Sequence, residues 1–249
     1  MLKSHAGTAV GGALAGAVLA VGTVFAAASF GIFPDRPDDH IRAYLLAHPQ
    51  ILAEMSSKLQ TQQEAGDDAA REKAVRKLGL KPFFNPRLAF VTGPASARTT
   101  FVEFFDYNCP YCRASIPAVK KFMAAHKNDT RFAFIEFPIK GPRSTIASRA
   151  AIAARKQPGK YLAFHFLLMD EKELVTKEVI LADAQKAGLD VGKLLTDMRD
   201  HSVDTAIAGA HNLAAAANID GTPAFIVNGR IREGALDDDS LREMLRMPG

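Results

Sequence analysis

Residues 101–113 read FVEFFDYNCPYCR, from Phe101 to Arg113. The β-branched and aromatic run that ends at Phe105 predicts a buried strand. Pro110, at the head of the apolar stretch that follows, predicts a helix opening at Cys109, since a proline at the first helical position gives up no needed amide. The only two cysteines of the chain, Cys109 and Cys112, thus fall at a strand-to-helix turn. There the first cysteine faces unpaired backbone amides and the positive end of the helix dipole, both of which favour thiolate over thiol. The second lies one turn on, where its sulfur can reach the first. This spacing predicts Cys109 as the attacking thiolate and Cys112 as the resolving thiol. Pro110 fixes the turn between them, and Pro110 and Tyr111 are candidate substrate contacts.

Two other uses of the pair fit less well. A structural staple across so short a loop is worth only about 2 kcal/mol, against ~3 for a 15-residue loop. A zinc site needs two further ligands, and no two of the seven histidines stand at helical i,i+4 spacing. Haem attachment fails as well, because residue 113 is Arg. No metal and no cofactor are therefore expected.

Outward from the motif, Leu88 to Val91 and Thr100 to Phe105 read as strands, Cys109 to Ala125 as a helix and Arg131 to Pro138 as a strand. A helical block follows: Ser144 to Lys156, Lys160 to Asp170, Lys177 to Ala187, Val191 to Arg199 and Val203 to Ala217. The chain then reads strand Pro223 to Val227, turn Asn228-Gly229, strand Arg230 to Glu233 and a last helix Asp237 to Arg246. The class is α/β. Glu103, six residues before Cys109 on a strand expected to be central, is a candidate acid. Desolvation there raises a carboxyl pKa and suits it to proton exchange with Cys112. An edge-facing or salt-bridged Glu103 is the alternative. His165, between Phe164 and Phe166, reads as a packed helix residue.

Toward the N-terminus, Ile41, Leu45, Leu52, Met55 and Leu59 are spaced 4, 7, 3 and 4 apart, one heptad seam, with Pro49 breaking the helix into two pieces. Asp67 to Leu78 reads as a further, highly charged helix ending at Gly79. Residues 34–80 are expected to form a helical arm, and 38–63 a possible homo-oligomer contact. From Thr8 to Phe33 the chain carries no charge, with Lys3 before it and an acidic cluster at Asp35, Asp38 and Asp39 after it. Residues 1–33 are expected to be a cleaved signal peptide or a membrane anchor, and either fate delivers the rest outside the cytoplasm, where disulfides persist.

Composition closes off several classes. With 48% hydrophobic and 23% charged residues in 249, the chain is neither disordered nor a multi-span membrane protein. The balance of 31 Lys+Arg against 27 Asp+Glu leaves +4 without a basic block, so no nucleic-acid partner is expected.

The motif FFDYNCPYC, together with IRAYLLAHPQIL, resembles the DsbA-like branch of the thioredoxin superfamily, especially its ScsC-like periplasmic members. The resemblance covers roughly Thr100 to the C-terminus and, more loosely, the arm. It implies a thioredoxin fold with an inserted helical domain, about 142–218 within 81–249, and an N-terminal helical arm. It also implies that Thr222-Pro223 is the family's cis-proline pair facing the redox cysteines, and that Glu103 is its buried acid. The activity implied is protein thiol-disulfide exchange in the periplasm, soluble or tethered to the inner membrane by residues 8–33. Its partners would be unfolded or wrongly disulfide-bonded periplasmic proteins and a membrane redox partner, a reductase or an oxidase. Tyr111 replaces the histidine of the strong oxidases, so a disulfide isomerase or reductase is expected ahead of a dithiol oxidase. A protein that holds Cu(I) between its two thiolates is the alternative of another class.

Overall fold

The computed structural model describes residues 37–246; the expected leader, 1–33, lies outside the described residues. The chain divides into two compact units, Met1–Gln62 and Gln63–Gly249.

In the first unit, helix α1 (Pro37–Ala47) ends at a turn through His48 and Pro49, and helix α2 (Gln50–Leu78) starts directly after it; from Gln63 onward α2 belongs to the second unit. Pro49 breaks the helix as expected, because it has no N–H to donate, while its carbonyl still receives Leu52 N at 3.1 Å. The seam residues Ile41, Leu45, Leu52, Met55 and Leu59 are all exposed.

The expected gap between the arm helix and a separate helix at Asp67 does not exist, since α2 runs unbroken to Leu78. Gly66 costs a helix only about 1 kcal/mol relative to Ala, and no proline accompanies it. The helix stops at Gly79, whose φ of +69° suits glycine and whose amide closes on Val75 O at 2.9 Å.

The second unit is built on a five-stranded sheet in the order β1-β3-β2-β4-β5. Its strands are β1 (Phe90–Thr92), β2 (Thr99–Phe105), β3 (Thr130–Glu136), β4 (Ala224–Val227) and β5 (Arg230–Glu233). β2 and β3 are parallel, and helix α3 (Pro110–His126) makes the crossover between them that a parallel pair requires. The other pairings are antiparallel. The β4–β5 hairpin turns at Asn228 and Gly229, both at positive φ (50° and 86°), as an Asn-Gly two-residue turn demands.

Between β3 and β4 the chain forms five helices: α4 (Pro142–Ala154), α5 (Tyr161–Asp170), α6 (Lys177–Lys186), α7 (Val191–Asp197) and α8 (His201–Ala216). Helix α9 (Asp238–Arg246) follows the hairpin. This is the thioredoxin fold with an inserted helical block.

Strand β2 is covered on both faces, which explains its near-continuous apolar sequence. Phe101 and Phe105 pack with α3 and the inserted helices. Val102 and Phe104 face a second core with Val75, Phe83 and Ala214. Phe83 belongs to a short 3-10 turn, Lys81–Phe84, that the sequence reading passed over, and its ring meets Phe104 edge-on at 6.1 Å between centroids.

Candidate active site

After β2 the chain turns through Asp106, Tyr107 and Asn108. Asp106 is wholly buried, and its carboxylate accepts three backbone amides, from Asn108, Ile139 and Lys140, each at 2.8 Å. These bonds join the turn to the segment after β3 and aim the next residue at the start of α3. Cys109 is the N-cap, with extended φ/ψ of −87° and 119°, and its carbonyl accepts the first helical bond, from Arg113 N at 3.2 Å. Pro110 is at the first helical position.

Both cysteines are unpaired thiols with covered surfaces, whereas Pro110 and Tyr111 between them are exposed, Tyr111 at 63%. In its protonated form the Cys109 thiol donates to the Thr222 carbonyl at 3.1 Å. The Thr222–Pro223 bond is cis. The geometry thus brings Cys109, Cys112, Thr222 and Pro223 to one place, with Pro110 and Tyr111 on the solvent side.

The two sulfurs differ sharply in acidity. Cys109 is held down to about 5, chiefly by hydrogen bonding from Cys112; the Thr222 side chain and the amides of Cys112 and Tyr111 add to this, against the cost of burial. Cys112 is pushed far up by burial, then by its bond to the Cys109 sulfur and that sulfur's charge. One sulfur is therefore an anion at neutral pH and the other keeps its proton.

Glu103 sits on the α3 side of β2 at 0% exposure, between Phe134 and Phe225 on the flanking strands. Neither carboxylate oxygen has a hydrogen-bond partner among the described residues, and burial raises its pKa to about 8. The edge-facing and salt-bridged alternatives are excluded.

Residues not singled out from the sequence hold this centre against the inserted helices. The Asn108 side chain donates to Ser144 Oγ at 3.3 Å and accepts from Val175 N at 2.8 Å. Arg113 donates to the Tyr107 carbonyl at 2.8 Å and to the Lys172 carbonyl at 3.4 Å. The Tyr107 hydroxyl meets His165 Nδ1 at 3.1 Å, and burial pushes that imidazole down to about 3, so it stays neutral. Asp106 followed two residues later by Asn108 is an Asx-turn pattern and could have flagged the turn. The partners of Asn108 lie 36 and 67 residues away, beyond any local signal. Among the described residues no group of three or more His, Cys, Asp or Glu side chains is placed to hold a metal ion.

A family model described as thioredoxin matches residues 88–246, and one described as the copper resistance protein ScsC N-terminal domain matches residues 38–65. Of solved structures, a thioredoxin-like oxidoreductase from Silicibacter pomeroyi DSS-3 is 37% identical, with a TM-score of 0.62, over 67% of this chain and 95% of that one. Proteus mirabilis ScsC in a transitional conformation is 27% identical, with a TM-score of 0.62, over 84% of this chain and 91% of that one. Among curated proteins, the Na(+)/H(+) antiporter NhaA 3 of Salinispora tropica is 30% identical over 159 residues, 63% of this chain. The chain spans about a quarter of the length of such relatives, 24% in that case, so ion transport does not carry over with the similarity.

Proposed function

This chain belongs to the thioredoxin family, in its DsbA-like, ScsC-like branch, and we propose that Cys109 is the nucleophile of a thiol-disulfide exchange acting on protein substrates. The observation that carries this is the N-cap placement of Cys109 at the start of α3, with its acidity held near 5. The Cys109 thiolate attacks one sulfur of a substrate disulfide, forming a mixed disulfide, and the other substrate sulfur leaves as a thiolate that takes up a proton. Cys112 then gives up its proton and attacks Cys109 Sγ; the intramolecular disulfide forms and the bound substrate sulfur is released. Glu103 is the group proposed to exchange that proton, because a carboxyl titrating near 8 is poised at working pH. If a second substrate thiolate attacks instead, the substrate is isomerised and the dithiol regenerated.

The incoming chain must open the Thr222 contact that covers Cys109. The backbone there offers an edge for an extended substrate, and Pro223 has no N–H to compete for it. Pro110 and Tyr111 flank the same approach.

An isomerase or reductase is favoured over an oxidase. A Cys109 acidity near 5 stands between roughly 3.5 for the strongest oxidant of this chemistry and roughly 7 for a reductant. Tyr111 supplies only a neutral hydroxyl where an imidazolium would stabilise the thiolate further. The arm supports the same direction: its exposed seam, Ile41 to Leu59, fits a second copy of this chain through residues 38–63, and an oligomer presents several thiolates to one misfolded substrate. The setting proposed is the periplasm, with a membrane reductase as redox partner. Among the described residues no helix is long and apolar enough to cross a membrane.

The reduction potential against glutathione tests the direction. The expected value lies nearer about −180 mV than about −120 mV, and a value at or above the latter overturns the isomerase reading in favour of the oxidase. Scrambled and fully reduced ribonuclease, refolded side by side, give the matching activity test: reactivation of the scrambled form is expected. The Cu(I) reading finds support in the copper-resistance description of the model matching residues 38–65 and in the preference of a soft ion for paired thiolates. Tight Cu(I) binding that Cys109→Ser abolishes, in a protein without exchange activity, would favour it.

A further inference from the structure

The part of helix α2 beyond Gln62 reaches the loop before the redox centre through Arg71. Arg71, on its penultimate pair of turns, is 12% exposed. Its Nε donates to the Asn218 carbonyl at 3.2 Å, and its Nη2 reaches Asp220 Oδ1 at 3.3 Å and Glu233 Oε2 at 3.0 Å. Its Nη1 is braced by Asp68 Oδ1 on the same helix at 3.3 Å. Asp220 is 85% exposed, so that pair is worth little; the half-buried pair with Glu233 is the one that holds geometry.

Glu233 uses its other oxygen on the loop that leads to the active site. Oε1 accepts from Asp220 N at 3.2 Å and from Gly221 N at 3.4 Å. Gly221 leaves the carboxylate room to approach, since a Cβ there would stand 3.1 Å from Oε2. The next residue is Thr222, whose carbonyl meets Cys109 Sγ, and the Pro223 carbonyl is pinned to Gly234 N at 2.9 Å, one residue past Glu233. The contacts therefore run without a gap from α2 through Arg71, Glu233 and the Asp220 and Gly221 amides to the residue that covers the nucleophile.

We propose that Arg71 is a positioning residue for the exchange reaction: by clamping Glu233 it holds the Asp220–Pro223 loop in the register at which Thr222 meets Cys109 Sγ. This rests on reading Cys109 as the nucleophile. Burial pushes the Glu233 carboxyl up and the Arg71 charge draws it back, so removing the guanidinium weakens the anion that both loop amides bind. A loosened loop withdraws the Thr222 side chain, which is among the groups that hold the Cys109 acidity down, and so costs the thiolate one of its supports.

The test is Arg71→Ala in the full chain, read by the pH midpoint of Cys109 alkylation and by the equilibrium constant with glutathione. The midpoint is expected to rise by about half a unit or more, and the equilibrium constant for forming the dithiol to fall roughly threefold. Arg71→Lys, which keeps the charge and loses the fork, should shift both in the same direction by less, and it decides the matter if the alanine variant does not fold. Glu233→Gln, which keeps an acceptor for the two amides but not the ion pair, should also give a smaller shift of the same sign. A lowered melting temperature with midpoint and equilibrium constant unchanged overturns the proposal and leaves Arg71 a structural residue. If the wild-type midpoint itself lies near the ~8.5 of free cysteine, the exchange reading falls, and this inference with it.

Discussion

The two units place their exceptional residues in opposite ways. In the first, apolar side chains face water: Leu46 is 72% exposed and Leu52 74%. In the second, a carboxyl is buried without a partner, Glu103 at 0% exposure on the central strand. Each departure costs free energy, because exposed leucine forgoes about 1.5–3 kcal/mol of burial and a buried charge prefers to be neutral. Sequences that otherwise obey inside-outside patterning tend to break it where something other than stability is at stake. The comparison therefore matches the two jobs proposed, chemistry for the Gln63–Gly249 unit and association for the Met1–Gln62 unit, and it can be broken at either end.

The largest expected effect is at the sulfur. Cys109→Ser should reduce disulfide exchange on the order of 10³-fold or more, in line with removal of other catalytic nucleophiles, and leave the oligomer mass by ultracentrifugation unchanged. A change of mass would show that the two jobs are not separate. Cys112→Ser offers a sharper form of the same experiment, since the mixed disulfide with substrate should accumulate once its resolving thiol is gone.

Next comes Glu103→Gln, read as stability against pH. In the folded protein this carboxyl keeps its proton up to about pH 8, whereas in the unfolded chain it has ionised by about 4.5. The folded state thus holds the extra proton, and the stability contribution present below 4.5 is lost progressively as pH rises toward 8. The amide carries no such cost. Glu103→Gln should be the more stable protein at pH 8 by a few kcal/mol in urea denaturation and should converge on wild type near pH 4. A difference independent of pH would mean that Glu103 is not the acid this structure makes it.

How far the sequence anticipated this follows from the range of each interaction. The Cys109-Pro110 helix start, the Asn228-Gly229 turn and the order of strands and helices are encoded by neighbours along the chain, and all were legible. The burial of Glu103 depends on β3 and β4 closing over β2 from both sides, so the expectation of a central strand pointed to it while the residues alone left an edge-facing or salt-bridged glutamate open. The Asn108 clamp and the Arg71–Glu233 pair join residues whose partners share no local pattern, 67 and more than 100 positions apart, and they were missed. The separate helix expected from Asp67 is instead the end of one unbroken helix, since Gly66 costs only about 1 kcal/mol and no proline stands beside it.

The smallest expected effect belongs to the arm, and it bears most directly on direction of electron flow. Leu52 and Leu59 lie one heptad apart on the exposed seam, so Leu52→Lys with Leu59→Lys removes two seam contacts from any copy-to-copy interface. Surface changes on a solvent-facing helix alter the stability of the single chain by only about 0.5 kcal/mol, so its folding should be intact. If the seam joins copies of this chain, the mass should fall to that of the monomer, and reactivation of scrambled ribonuclease should drop roughly tenfold through lost effective concentration. The Cys109 titration midpoint should stay where it was, because the substituted residues lie in the Met1–Gln62 unit and the sulfur in the other. Unchanged mass would remove the arm from the argument for isomerisation. The direction would then rest on Tyr111 and the acidity of Cys109 alone.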